Sequence, residues 1–77
     1  MNISVLFFGQ IADIAGNDNL DISNVDTSNE LKSRLCELYP ALNEITYSVA
    51  VNKEIVQTNT ALKDGDTVAL LPPFSGG

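Results

Sequence analysis

Apolar residues alternate with polar ones in several short stretches of this 77-residue chain. Such alternation over four to eight residues is typical of strands, whose side chains point to opposite faces in turn. Strands are therefore predicted over residues 2–8, 19–23, 48–51, 54–56 and 67–71. The first of these becomes apolar on both sides towards its end, and the last is an apolar run. Both patterns are typical of strands near the centre of a sheet.

Short polar segments between these stretches predict the turns. Asn52-Lys53 separates two strands by two residues, which is typical of a hairpin. Asp64-Gly65-Asp66 predicts a turn before the last strand, in which Gly65 can supply a positive φ. Residues 10–15 can form a short helix or turn, and Gly16 is expected to end it.

The main helix is predicted to begin after Thr27. Residues 27–30, Thr-Ser-Asn-Glu, fit the capping box, in which the first and last side chains satisfy backbone N–H groups at the start of a helix. Leucines then follow at spacings of four, three and four and form one apolar stripe: Leu31, Leu35, Leu38 and Leu42. Pro40 is expected to end the regular helix near Tyr39, with Leu42 packing just beyond it.

The order of these elements predicts an α+β domain. One amphipathic helix is sufficient to cover one face of a small sheet, so we expect a mixed sheet covered by one main helix. Residues 1–71 are assigned to this single domain. Residues 72–77 are predicted to extend from it and are called the C-terminal arm below.

The C-terminal arm follows the last strand without a linker. Pro72 and Pro73 lack the N–H that a sheet requires and favour extended, unpaired backbone. The remaining residues are Phe74, Ser75, Gly76 and Gly77. A frayed terminus is the simplest interpretation, but a chain ends in two glycines by chance only about 0.5% of the time. We expect the Gly77 carboxylate to be functional, because glycines can enter a narrow channel and the ionised carboxylate can attack an activated phosphate.

Composition excludes several classes of function. The sequence has no His, one Cys, four basic and ten acidic residues, and a net charge of −6. A Ser/His or Cys/His pair, a His-rich metal site and an internal disulfide are therefore impossible within the chain. The acidity argues against a nucleic-acid partner and fits either a basic protein partner or simple solubility. No stretch resembles a signal peptide or a membrane span, so a cytoplasmic protein without a membrane partner is expected.

Cys36 is the one side-chain nucleophile of note. On the predicted helix it lies off the leucine stripe, so it is expected to be partly exposed. It could carry sulfur as a persulfide, or it could be an ordinary surface thiol. The second interpretation is favoured, because the chain contains no His to activate the thiol.

The two central strands carry more apolar side chains than one face of a small sheet needs. Neighbouring residues of a strand alternate between faces, so core packing can account for only one of Leu70 and Leu71. We expect the remainder to form an exposed apolar patch at the base of the C-terminal arm, where partners would dock. The predicted docking residues are Phe7, Leu70, Leu71, Pro72, Pro73, Phe74, Ser75 and Gly76.

These residues together resemble a known family. Residues 62–77, Leu-Lys-Asp-Gly-Asp-Thr-Val-Ala-Leu-Leu-Pro-Pro-Phe-Ser-Gly-Gly, are similar to the end of the small subunit of molybdopterin synthase, the MoaD family. Residues 5–9 and 49–52 extend the resemblance, which covers nearly the whole chain. The Asp-Gly-Asp…Pro-Pro…Gly-Gly combination is specific, whereas a terminal Gly-Gly alone is shared by ubiquitin-like proteins generally.

The resemblance implies a fold, a reaction and partners. The fold is the ubiquitin-like β-grasp, with the first and last strands parallel at the sheet centre. An E1-like adenylating enzyme would use ATP to adenylate Gly77, and sulfur would then replace AMP to give a C-terminal thiocarboxylate. The large synthase subunit would use that sulfur to convert cyclic pyranopterin monophosphate in molybdenum cofactor biosynthesis. The chain itself would bind no cofactor and would not be catalytic alone.

Three other functions remain open at this point. A sulfur carrier for thiazole synthesis also ends in glycines, although Pro72-Pro73-Phe74 favours the molybdopterin family. A ubiquitin-like protein modifier would conjugate to lysines through Gly77. A plain interaction domain would have a terminal Gly-Gly by chance.

Overall fold

The computed structural model describes residues 2–72. Its strands are β1 (Asn2–Phe7), β2 (Asn19–Ser23), β3 (Ser48–Val51), β4 (Glu54–Val56) and β5 (Thr67–Leu71). Its helices are α1 (Gln10–Ala15), α2 (Ser28–Leu38) and a 3-10 helix over Pro40–Glu44. The predicted elements are therefore confirmed within a residue or two. None of the helices among residues 2–72 is long and apolar enough to cross a membrane.

The five strands form one mixed sheet in the order β2-β1-β5-β3-β4. β1 and β5 pair in parallel, and the other neighbouring pairs are antiparallel. β5 lies in the middle of the sheet, which explains why its sequence is apolar on both faces. The predicted parallel pairing of the first and last strands at the sheet centre is confirmed.

One face of the sheet packs against α2 and forms the core. β1 contributes alternate residues to it, and so does β5, since their side chains alternate between faces. The helical side contributes Leu31 and Leu35, and the 3-10 helix adds Leu42. The fully buried residues of the two central strands are Ile3, Val5, Val68 and Leu70.

The start of α2 confirms the predicted capping box with one variation. The Thr27 hydroxyl accepts a hydrogen bond from the Glu30 N–H at 3.2 Å. The Glu30 carboxylate accepts from the Asp26 N–H at 2.9 Å, one residue before the N-cap. Side chains thus satisfy two backbone N–H groups at the start of this helix.

The end of α2 corrects the predicted leucine stripe at one position. Leu38 was expected to face the core, but it is 53% exposed. The helix ends at Leu38, and Pro40 begins the 3-10 helix that carries Leu42 into the core instead. The helix period predicts a face only as far as the helix continues.

The predicted turns form where the backbone needs a positive φ. Asn52 and Lys53 have φ values of 48° and 75° and make the two-residue β3–β4 turn. Gly16 ends α1 with a φ of 74°, and its N–H donates to the Ala12 carbonyl. Gly65 has a φ of 87° in the turn before β5.

The Asp64-Gly65-Asp66 turn ties three segments together at the start of β5. Asp64 accepts a hydrogen bond from the Asn2 N–H at 2.6 Å. The two carboxylate oxygens of Asp66 accept from the Asn52 side-chain amide at 2.9 Å and the Lys63 N–H at 2.8 Å. The Asp66–Asn52 bond, followed by the Lys63 N–H bond and the Lys63 charge, lowers the pKa of Asp66. This motif therefore has a structural role, at the end of β5 remote from the C-terminal arm.

Candidate functional site

The C-terminal arm begins directly after the central strand β5. β5 ends at Leu71, and Pro72 is the last residue that the structure describes. Most of the predicted site lies outside the described residues. This holds for the predicted reactive residue, Gly77, and for four predicted docking residues, Pro73, Phe74, Ser75 and Gly76. The described part of the predicted site is consequently the strand ends and Pro72.

Four side chains lie in one row across the uncovered face. Leu6 is the register neighbour of Ala69 across β1 and β5, and Ala69 faces Ala50 across β5 and β3. Ala50 in turn faces Ile55 across β3 and β4. Large side chains therefore stand at both ends of the row, with two alanines between them. A row of this shape makes a depression with apolar walls and a low floor.

This depression is a groove of about 590 Å³, called the sheet groove below. Two of its walls are conspicuously open to solvent: Phe8 is 45% exposed and Ile55 is 55% exposed. Its lining residues are Leu6, Phe8, Ala50, Asn52, Lys53, Ile55, Thr67, Ala69 and Leu71. Exposed apolar side chains gathered in one concave site are typical of a surface that binds another protein.

The structure corrects two of the predicted docking residues. Phe7 is 3% exposed and Leu70 is fully buried, so neither can form part of an exposed patch. They are register neighbours on the α2 side of the sheet, and the Phe7 ring meets the Tyr39 ring edge-on at 5.9 Å. Leu71, one position further along β5, faces the other way and lines the sheet groove, while its role in docking stays a prediction.

The prediction missed most of the groove. Leu6, Ala50, Ile55 and Ala69 were not among the predicted docking residues, yet they form its central row. A sequence signal existed for Ala69, because residues two apart in a strand share a face and Leu71 was predicted to be exposed. Ala50 and Ile55 face each other across the predicted β3–β4 hairpin, but their place beside Ala69 depends on the pairing of β3 with the distant strand β5, for which no local signal exists.

The polar edge of the sheet groove lies at the β3–β4 turn. Lys53 and Asn52 lie on that edge, and Asn52 also bonds to Asp66. Lys53 thus places a basic side chain on this edge. The groove is apolar inside and charged at this rim, which is the usual distribution in protein–protein interfaces.

Cys36 lies on α2 and so on the side of the sheet opposite the groove. It is half-buried, as predicted, and lines a shallow pocket with Tyr47 and Lys32. Burial, followed by the charge and hydrogen bond of Cys36, raises the pKa of Tyr47 to about 12. The Lys32 ammonium is 5.9 Å from the centre of the Tyr47 ring. No group of His, Cys, Asp and Glu within residues 2–72 is arranged to hold a metal ion.

Comparison with known proteins decides the family. The model of the ThiS family matches residues 5–77. The molybdopterin synthase sulfur carrier subunit of Chlamydomonas reinhardtii is 36% identical to this chain, and the alignment covers all of both chains. This chain belongs to the ThiS family, among the molybdopterin synthase sulfur carrier subunits. The predicted resemblance is therefore confirmed.

Solved structures of two relatives share the fold. One is a complex of subunits 1 and 2 of molybdopterin-converting factor from Helicobacter pylori, with 34% identity, a TM-score of 0.75 and full coverage of both chains. The other is SAMP1, small archaeal modifier protein 1, from Haloferax volcanii, with 26% identity, a TM-score of 0.83 and full coverage of both chains. The ubiquitin-like β-grasp, with its mixed sheet and covering helix, is thus confirmed for this member of the family.

Proposed function

We propose that this chain is the sulfur-carrying subunit of molybdopterin synthase and that the Gly77 carboxylate is the group that carries the sulfur. The observation that supports this most is the sheet groove, because the strand that lines it leads directly into the C-terminal arm. Leu71 is a groove residue, and Pro72 follows it. A partner that docks in the groove would therefore hold the arm beside its own active site.

The proposed chemistry activates a carboxylate that is otherwise a poor acceptor. The Gly77 carboxylate attacks the α-phosphate of ATP on the adenylating enzyme, and pyrophosphate leaves. Sulfur at the oxidation level of hydrosulfide then attacks the carbonyl carbon, AMP leaves, the sulfur loses its proton, and a thiocarboxylate remains. The large synthase subunit takes this sulfur for cyclic pyranopterin monophosphate in molybdenum cofactor biosynthesis. Acid–base groups for these steps would come from the partners, since this sequence contains no His.

Two kinds of partner follow from this scheme. The large synthase subunit is one, and it has support from the Helicobacter pylori relative, which was solved as a complex of subunits 1 and 2. An E1-like adenylating enzyme is the other. Both would use the sheet groove in turn, because either must bind close to the arm. Six extended residues span at most about 20 Å, which is enough to enter a neighbouring active site.

Terminal variants test this proposal. Deleting Gly77, or replacing it with Ala, should leave thermal unfolding unchanged but sharply reduce adenylation, measured as ATP–pyrophosphate exchange with the cognate adenylating enzyme. A chain with one further glycine after Gly77 is the matched control, because it keeps the local chemistry and moves the carboxylate by about 3.5 Å. Wild-type rates for the deletion variant would show that the terminus is a passive tail.

A protein modifier is the second candidate function, because SAMP1 matches over the full length of both chains. A modifier would form an isopeptide bond between Gly77 and a lysine of another protein. Mass spectrometry of the tagged chain from its own cells separates the two functions. A thiocarboxylate at Gly77, 16 mass units above the free acid, supports the carrier. Stable conjugates that end in a Gly77–lysine bond support the modifier.

A further inference from the structure

Gly9 occupies a position that only glycine can fill without strain. It lies between β1 and α1, with a φ of 56° and a ψ of −132°. Its carbonyl accepts hydrogen bonds from the Ala12 and Asp13 N–H groups at 3.0 and 3.4 Å, and so starts α1. The preceding N–H, of Phe8, donates to the Leu70 carbonyl at 3.3 Å and continues the β1–β5 ladder. Gly9 is therefore held in place from both sides.

Pro72 packs against the bare backbone of Gly9. An ideal Cβ on Gly9 would lie 3.2 Å from Pro72 Cγ, 3.8 Å from its Cβ and 3.9 Å from its Cδ. The first of these distances is shorter than ordinary van der Waals contact. Gly16 and Gly65 also have positive φ values, but an ideal Cβ at either would meet nothing within 4 Å. The contact with Pro72 is thus separate from the conformational need for glycine.

This contact sets the direction in which the C-terminal arm leaves the domain. The Pro72 ring fixes its own φ near −65°, and the residue before it, Leu71, is restricted to extended backbone. The ring lying on Gly9 adds a third constraint at the same point. Pro72 is also the residue from which the last five residues extend, so its placement bears directly on where the Gly77 carboxylate can reach.

We propose that Gly9 is a positioning residue for the C-terminal arm, acting through the seat that it provides for Pro72. This inference rests on the proposed function of Gly77. Gly9 does not touch the reacting atoms, and it is not part of the lining of the sheet groove. A substitution at Gly9 should therefore leave partner binding nearly unchanged and slow the chemical step, because the terminus is misplaced in the bound complex.

A double-mutant cycle separates this seat from backbone strain. Gly9→Ala should lower kcat for adenylation about tenfold and change KM less than about twofold. Pro72→Ala removes Cγ, the atom that lies too close, and keeps Cβ at an ordinary distance. In the Pro72→Ala background, Gly9→Ala should then lower kcat by no more than about twofold. The strain of an alanine at this φ is the same in both backgrounds, so it cancels.

Two controls complete the test. Gly16→Ala and Gly65→Ala also place an alanine at a positive φ but without the Pro72 contact, so they should lower the unfolding temperature and leave kcat unchanged. In the wild-type protein, NMR should show a nuclear Overhauser effect between the Gly9 Hα protons and the Pro72 ring protons. That measurement shows whether Pro72 contacts Gly9 even if the Gly9→Ala protein does not fold.

The outcomes that overturn the inference are distinct from failure of the proposed function. Any one of four results would overturn the inference. Three concern the Gly9→Ala protein: an unchanged kcat in the folded variant, an equal loss of kcat in both Pro72 backgrounds, or an effect on KM alone. The fourth is the absence of the nuclear Overhauser effect in the wild-type protein. If the wild-type chain is never adenylated, the proposed function fails instead, while the Overhauser measurement still reports on the seat.

Discussion

Leu6 lies beside Ala69 across the parallel pair of β1 and β5, on the face of the sheet that no helix covers. The same row continues through Ala50 to Ile55. If either alanine were a larger residue, the two walls would be joined and the groove would be filled. The depth of the sheet groove thus depends on the small size of these two side chains.

Ile55 tests the groove as a docking surface. Ile55→Ala should weaken binding of the synthase large subunit by about 1–2 kcal/mol, or roughly 5- to 30-fold in Kd, because an exposed apolar wall would lose its buried contact. Leu38→Ala is the matched control, since Leu38 is equally exposed, at 53% against 55%, but belongs to α2. Isothermal titration calorimetry gives both affinities. Equal effects of the two variants would argue against the groove.

A second variant, at Ala69 in the bottom of the sheet groove, tests the same docking surface. Ala69→Leu should fill the groove and weaken binding of the large subunit at least tenfold, because a partner side chain could no longer enter. The extra methylenes project towards solvent, so the unfolding temperature should change little. Binding at wild-type affinity by a folded Ala69→Leu protein would show that the partner contacts another face.

The net charge of −6 predicts a salt effect on association. Exposed charges are screened beyond about 10 Å at 0.1 M salt. The association rate with the large subunit should therefore fall as salt is raised, while the dissociation rate changes less. Stopped-flow fluorescence from low to about 0.5 M salt measures both rates. An association rate that does not respond to salt would leave solubility as the role of the charge.

Cys36 should be dispensable for sulfur transfer. It lies on α2, on the other side of the sheet from the groove. Cys36→Ser should thus retain sulfur transfer to within about twofold when the thiocarboxylate form is mixed with the large subunit. Circular dichroism checks that the variant is folded. Loss of transfer in a folded Cys36→Ser protein would contradict the assignment of the sulfur to Gly77 alone.

The free energy of unfolding should depend on pH through Asp66. Its pKa is lower in the folded chain than its ordinary value of 3.8, so the unfolded chain takes up a proton first as the pH falls. The stabilisation is complete above that ordinary value and is lost as the pH falls through the folded pKa. Asp66→Asn should therefore be less stable than wild type at neutral pH, and the difference should shrink in acid. Urea unfolding across this range measures it.

The matched control for Asp66 is Asp21→Asn. Asp21 is an exposed carboxylate on the edge strand β2. Asp21→Asn removes one negative charge, as Asp66→Asn does, so the comparison separates the hydrogen bonds of Asp66 from the change in net charge. A difference from wild type that stays constant with pH for Asp66→Asn would show that its hydrogen bonds to Asn52 and Lys63 do not stabilise the charged form.

The sequence predicted the elements well because their signals are local. The capping residues Thr27 and Glu30, the turn pair Asn52-Lys53 and the helix stop Gly16 each act within a few residues of themselves. The two wrong docking residues could also have been avoided. Phe7 continues the alternation of Ile3 and Val5, which the polar residues between them place on the core face.

The sheet groove could not be predicted in the same way. Its row joins four strands whose pairing is set by contacts between opposite ends of the chain, such as Leu6 with Ala69. No local pattern fixes that register. The seat of Pro72 on Gly9 is similar: a glycine between a strand and a helix is common, and only the fold brings a proline from the far end of the chain against it.

The position of β5 also bears on how the protein is made. β5 is the central strand, yet it is the last of the described strands to leave the ribosome. Until β5 has been made, β1 and β3 have no common neighbour, and the leucines of α2 lack part of the surface that they cover. The domain therefore cannot close before β5 is available, and a chain cut short before β5 would remain open to proteases.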